Sequence, residues 1–489
     1  MSPKDYLYVV VPGIGGSVLE FWQGDRREVL WEGLGQVPGA VLRPSRLGIG
    51  DDDGVVATGL INDWRMFPGF TVVDGYSSLV HSVAGFAETD VIDWGDPAAV
   101  NLDARVVCFP FDFRRSVAEA ATGLSDTLGK RLTRLGQGEG VARKRVVIVA
   151  HSMGGLVARY WAGPLGGAGV CKAMVTLGTP HRGAPKALEV MANGLRFGPV
   201  PVPGKLSSML RTWPGFHELL PRYESATDGD LWFRPKDLEL ENLDQRRASA
   251  AFEVHEDIQT AWEDLGSAAP ALTPVIGVGQ RTLETSTVKS PTKVSTNRVL
   301  PSWIAAEDEA LATFLGDGTV PRISAIPIEL DEDRFRPSQR LVVGAKHGKL
   351  VNWEGVAGEL RLALTGSSTG AVRGDGSRSC VADLPDAWPV GHPVPGTIRV
   401  YVPTNGGSLQ VSEAVTSVQV RGHGPDPDRW FDATPSGEEW LVELPPQYTA
   451  GLVRMEVRAT TVDGDDPDYD ISTIRLIDDQ VLEDVDDAE

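Results

Sequence analysis

The stretch RKRVVIVAHSMGGLVARYWAG, residues 143–163, narrows most sharply what this chain can fold into. The run VVIVA is too uniformly apolar for a strand with one wet face, so it suits a strand buried on both faces of a parallel sheet. It stops at His151 and Ser152, and small residues open a segment of helical periodicity. Small residues two before and two after such a serine let strand and helix approach closely, which is the physical content of the G-x-S-x-G turn. Here Ala150 adds one methyl group on the strand side, while Gly154 and Gly155 keep the helix side open.

Three further apolar runs share this character: YLYVVVPG (6–13), ARVVCFPF (104–111) and AMVTLGTP (173–180). Between them, 117–135 reads as an amphipathic crossover helix and 153–163 as a helix leaving Ser152 directly. That alternation is the rhythm of a doubly wound, mostly parallel α/β sheet. TPVIGVG (273–279) and QRLVVGAK (339–346) read as later strands, followed by a helix-like 348–364. Residues 22–70 are irregular and lid-like, and 184–270, with FHELLPRY and AAFEVHEDIQTAWEDL as helices, read as a cap insertion. The predicted organisation is an α/β-hydrolase catalytic domain over 1–365, a Gly/Ser/Pro-rich linker over 366–394, an all-β immunoglobulin-like sandwich over 395–477 and an acidic tail over 478–489.

A serine hydroxyl is a weak nucleophile. It needs an exposed position on a strained turn, a neighbouring base and amide donors aimed at the oxyanion. His151 lies on the same turn, where its ring cannot readily reach the Ser152 hydroxyl, so it reads as a supporting residue. In an α/β-hydrolase the triad follows in the order Ser, acid, His. His81, His151 and His181 come too early for that order, His217 and His255 fall in the cap, and His392 and His423 in the linker and sandwich. His347 is left, at the end of QRLVVGAK, and Asp317 in FLGDGTVPRIS is the best acid between it and Ser152. The oxyanion donors read as the Met153 amide and one from the loop VPGIGGS, Ile14 first and Gly15 as the alternative. No Gly-Lys-Ser/Thr follows that loop, so it is no phosphate cradle. Ser82 in LVHSVAGF imitates the motif, but without a buried strand before it, it reads as an ordinary helix residue.

Six segments in order, VVVPGIGGSVLE (9–20), CFPFDFRRS (108–116), AHSMGGLVARY (150–160), VTLGTPHRGAP (175–185), GFHELLP (215–221) and GDGTVPRIS (316–324), ending at His347, resemble the lecithin:cholesterol acyltransferase-like lipases. The resemblance spans about residues 5–365. It implies an α/β-hydrolase that cleaves or transfers acyl chains of esters, often phospholipids, without a metal or cofactor. By position it implies Ser152 as nucleophile, Asp317 as acid, His347 as base, and Ile14 and Met153 as oxyanion donors. Asp112 and Arg114 are expected to pair beneath the site. The 22–53 segment lacks the cysteines of the lid disulfide in secreted members, and the C-terminal sandwich has no counterpart in them.

Composition limits the partners. The net charge is −21 over 489 residues, with no Lys/Arg-rich run, which argues against nucleic acid. Residues 463–489 hold 12 Asp/Glu against one Arg, so 12 − 1 = 11 negative charges of the excess lie there. Three cysteines, and no signal peptide or membrane span in the residues given, suggest a cytoplasmic protein with buried thiols. The expected substrate is a lipid or another acyl ester. Gly15, Trp22, Trp64 and Phe67 are candidate substrate contacts; with Trp31, Trp213 and Phe216 the aromatics read either as an acyl groove, with transient membrane contact, or as ordinary packing. A second reading gives the sandwich and tail a protein partner that governs the activity.

Overall fold

A computed structural model of the chain describes residues 2–24, 26–32, 47–50, 53–62, 65–67, 71–73, 75–135, 144–197, 200–201, 204–298, 316–329, 341–353, 355–365, 379–403, 409–412, 414–422, 429–462 and 468–477. Among the described residues, seven strands form the central sheet: β1 (Leu7–Val11), β2 (Ile92–Asp93), β3 (Val106–Cys108), β4 (Val146–His151), β5 (Cys171–Leu177), β6 (Ala271–Val278) and β7 (Leu341–Gly344). Their order is β7-β6-β5-β4-β1-β3-β2, and every neighbouring pair is parallel. The apolar runs explain this: Leu7, Val9, Val11, Ile148 and Ala150 enter one core, while Tyr8, Val10, Val147 and Val149 enter the other. With both faces covered, only a near-continuous apolar strand fits.

Helices α2 (Val117–Arg134) and α3 (Met153–Ala162) contribute to the first core, α1 (Ser77–Phe86) and α5 (Val356–Thr365) to the second. The Ser116 hydroxyl caps α2 by accepting from Glu119 N–H at 3.1 Å. In the cap, AAFEVHEDIQTAWEDL lies within α4 (Gln245–Leu265), whereas FHELLPRY keeps one turn, Pro214–His217. The helix-like 348–364 is split into a 3₁₀ segment, His347–Asn352, and α5.

Residues 22–70 are less irregular than their composition suggests. Strands Arg26–Trp31 and Val55–Leu60 flank Ser17–Gln23 in an antiparallel sheet, and Arg65–Phe67 pairs with Thr71–Val73. Beyond α5, the described residues form two five-stranded sheets that share one core: Ala382, Val394 and Ile398 from one meet Val418, Val457 and Ile474 from the other. Strands Ser379–Asp383 and Ala387–Pro389 belong to these sheets, so part of the segment read as linker is paired backbone. The tail 478–489 lies outside the described residues. No helix among the described residues is long and apolar enough to cross a membrane.

Candidate active site

Ser152 sits where β4 ends and α3 begins, with φ 52° and ψ −128°. This is a sparsely allowed backbone for a residue with a Cβ, costing about 1–3 kcal/mol. The turn is held from both sides: Ser152 N–H donates to Leu177 O at 2.9 Å, and Gly155 N–H returns to Ser152 O at 3.0 Å. Gly154 is the close approach that permits it, because a Cβ there would lie 2.3 Å from Pro12 O and 2.7 Å from Val11 O. The serine itself is 7% exposed.

His347 follows β7, and Asp317 pairs through its backbone with Gln280 just beyond β6. The chain therefore delivers the three side chains along one edge of the sheet, beyond β4, β6 and β7, with β5 between the first two. His347 Nε2 lies 2.9 Å from Ser152 Oγ, and His347 Nδ1 lies 2.7 Å from Asp317 Oδ2. The carboxylate can only accept from the Nδ1–H, which leaves Nε2 as the acceptor for the serine hydroxyl. The other carboxylate oxygen, Asp317 Oδ1, accepts the N–H groups of Thr319 at 3.0 Å and Val320 at 2.7 Å. A third contact, His347 N–H to Asp317 O at 2.9 Å, joins the two loops through their backbones.

His151 points away from the serine. Its Nδ1 is 2.9 Å from Tyr76 Oη, and its Nε2 is 3.1 Å from the carbonyl oxygen of His347. Burial holds its imidazole well below its usual pKa, and the neighbouring His347 adds to that shift. Tyr76 Oη also accepts the N–H of Gly13 at 2.8 Å. Tyr76 has no signal in the sequence, because a lone tyrosine before a helix announces no partner 75 residues away.

The loop carrying Gly13 approaches the serine closely: a Cβ at Gly13 would stand 2.7 Å from Ser152 Cβ. Among the described residues, the amides of Ile14 and Met153 donate to no protein acceptor. Gly15 holds its carbonyl against the Trp31 indole N–H at 2.9 Å.

The remaining candidates separate. Trp31, Trp213 and Phe216 are buried in the core, with Phe113 edge-on between the two tryptophans, so packing describes them better than a groove. Trp22 hydrogen-bonds Glu20 at 2.8 Å and lies under the Arg27 guanidinium at the far end of its hairpin. Phe67 lies on a short strand, its side chain outside the described residues, and Trp64 falls outside them altogether. Asp112 pairs with the fully buried Arg114 at 2.6 Å, and Asp53 joins from the other side at 3.0 Å. Ser82 lies within α1. His181 is held between Arg159 and Thr176, and His217 and His255 face backbone carbonyls. Cys108 and Cys171 are buried, and burial pushes both thiols up to about 12.

A parallel sheet carrying a strand–serine–helix turn at its carboxyl edge fits an α/β-hydrolase. Residues 65–287 match the model of the family described as Lecithin:cholesterol acyltransferase. The match includes Ser152 and ends before Asp317 and His347. Among solved structures, the chain is similar to the lipase BlEst2 of Bacillus licheniformis in propeptide form, at 10% identity and a TM-score of 0.33, covering 96% of this chain and 94% of that one. An engineered protein is similar at 11% identity and a TM-score of 0.18, over 74% of this chain and 60% of that one. No curated protein matches the chain.

Proposed function

We propose that the chain is a serine ester hydrolase acting on a lipid or another acyl ester. The observation that carries the reading is the hydrogen-bonded line from Ser152 Oγ through His347 to Asp317. In the first half-reaction Ser152 Oγ attacks the ester carbonyl carbon while His347 Nε2 takes its proton. The tetrahedral oxyanion sits between the amides of Met153 and Ile14, and His347 returns the proton to the departing alcohol. Asp317 orients the imidazole and stabilises its protonated form. Water, deprotonated by His347, then cleaves the acyl-enzyme to a carboxylic acid and free Ser152. An acceptor alcohol in place of water gives acyl transfer by the same steps. The C-terminal sheets fit an immunoglobulin-like sandwich in this reading.

The family supports an acyl-ester substrate, and the backbone strain at Ser152 supports a nucleophile's position. The test is hydrolysis of short p-nitrophenyl esters and of a lipid ester panel by wild type and Ser152→Ala. A loss of at least about a thousandfold in the variant is expected. Unchanged turnover would sink the proposal. Product analysis with and without an acceptor alcohol separates hydrolysis from transfer.

A further inference from the structure

We infer that the C-terminal β unit positions the acid and the base: Lys346 and Lys349, on either side of His347, and Gln280, behind Asp317, are positioning residues anchored in its strands and the turn between two of them. The inference rests on the hydrolase reading above and assigns the extra unit a role within that site.

The base loop is anchored at two points. Lys346 Nζ donates to Leu384 O and lies 3.2 Å from Asp386 Oδ1. Lys349 Nζ donates to Asp470 Oδ1 at 2.7 Å, and the other oxygen of Asp470 accepts Ala382 N–H at 3.0 Å. His347 is thus held between two lysines, each bonded to the C-terminal sheets or the turn joining them.

The acid loop is anchored to the same strand. Gln280 N–H donates to Gly316 O at 3.1 Å, and Gln280 pairs with Asp317 in an isolated parallel bridge. Its buried side chain then reaches the C-terminal unit, Nε2 donating to Ala382 O at 3.3 Å. Arg399 Nη1 holds Gly279 O at 3.1 Å, and Gly279 lies so close that a Cβ there would meet Tyr401 Cε2 at 2.8 Å. One residue, Ala382, therefore serves both loops: its carbonyl takes the acid side through Gln280, its amide the base side through Asp470 and Lys349.

Such contacts matter to catalysis more than to stability. The Lys349 and Asp470 side chains keep 22% and 18% of their surface exposed, so water still screens the pair and weakens what it adds to folding, whereas a displacement of about 1 Å in a reacting group can cost about a hundredfold in rate. Ordinary packing between two units predicts the opposite balance.

The test uses full-length Lys349→Met, Asp470→Asn, their double variant, Lys346→Met, and Lys349→Arg, with Ser152→Ala as reference. The readings are kcat and KM on a short p-nitrophenyl ester, and Tm. We expect kcat to fall about tenfold or more with KM within about twofold, Tm little changed, and Lys349→Arg recovering most of the loss. The double variant should be no slower than either single one, because both remove the same link. If Lys349→Met does not fold, the isosteric Asp470→Asn carries the same test. Wild-type kcat in Lys349→Met and Asp470→Asn, with Ser152→Ala inactive, overturns the inference and leaves the hydrolase standing. Activity surviving in Ser152→Ala overturns the hydrolase reading, and this inference with it.

Discussion

The Nε2–H of His151 donates to the carbonyl oxygen of His347 at 3.1 Å, tying the residue before the serine to the backbone of the loop that holds the base. A carbonyl can only accept, so this contact assigns the proton to Nε2 and leaves Nδ1 to accept from Tyr76 Oη–H. Tyr76 Oη in turn accepts Gly13 N–H, so one directed chain runs from the loop after β1 to the base loop. Tyr76→Phe leaves two buried polar groups without their partner. Each orphaned group costs about 1–3 kcal/mol, so urea unfolding should show a loss in that range or above. Turnover should fall with it, because both loops bordering Ser152 lose a tie; stability and kcat equal to wild type would contradict the chain of bonds.

The two small-residue positions around the serine should differ sharply in tolerance. A Cβ at Gly154 meets the backbone carbonyls of Pro12 and Val11, which cannot swing aside as a side chain can. Gly154→Ala is therefore expected to yield an unfolded or inactive protein. Ala150→Gly, in a buried strand, should cost only about 0.5–1 kcal/mol and keep activity. Thermal unfolding and ester hydrolysis of both variants check the contrast, and a well-folded, active Gly154→Ala would refute it.

Glu284 is a buried carboxyl whose Oε2 has no hydrogen-bond partner among the described residues. Burial pushes its pKa up from 4.5 to about 8. Its proton is held more tightly in the folded state, so its contribution to stability is full below the unfolded value. It is lost as pH rises towards and through the folded one. Glu284→Gln, a permanent mimic of the protonated form, should match wild type near about pH 5 and exceed it by on the order of 2 kcal/mol or more near about pH 8.5. Urea titrations at the two pH values decide it. An equal difference at both would contradict the assignment.

What the sequence made legible follows from where the side chains sit. Ser152 ends a run whose burial on both faces leaves a strong apolar signature, His347 follows the half-buried strand Leu341–Gly344, and Asp317 is picked out by its place between them in chain order. The strands Arg26–Trp31 and Val55–Leu60 were hidden because glycines and exposed charges blur their alternation. Trp31, Trp213 and Phe216 show why aromatic content alone cannot separate a groove from a core. Tyr76, Gln280, Lys346 and Lys349 left no trace, since each acts through a backbone group or an ion-pair partner remote in the chain.

If Ser152 is a nucleophile activated by His347, its hydroxyl attacks phosphorus electrophiles. A fluorophosphonate probe reacts covalently with such a serine, and peptide mapping by mass spectrometry locates the adduct. A single adduct on Ser152 is expected in wild type, none in Ser152→Ala, and labelling slowed by at least about a hundredfold in His347→Ala. An adduct on another residue, or labelling of Ser152 at an undiminished rate without His347, would contradict it.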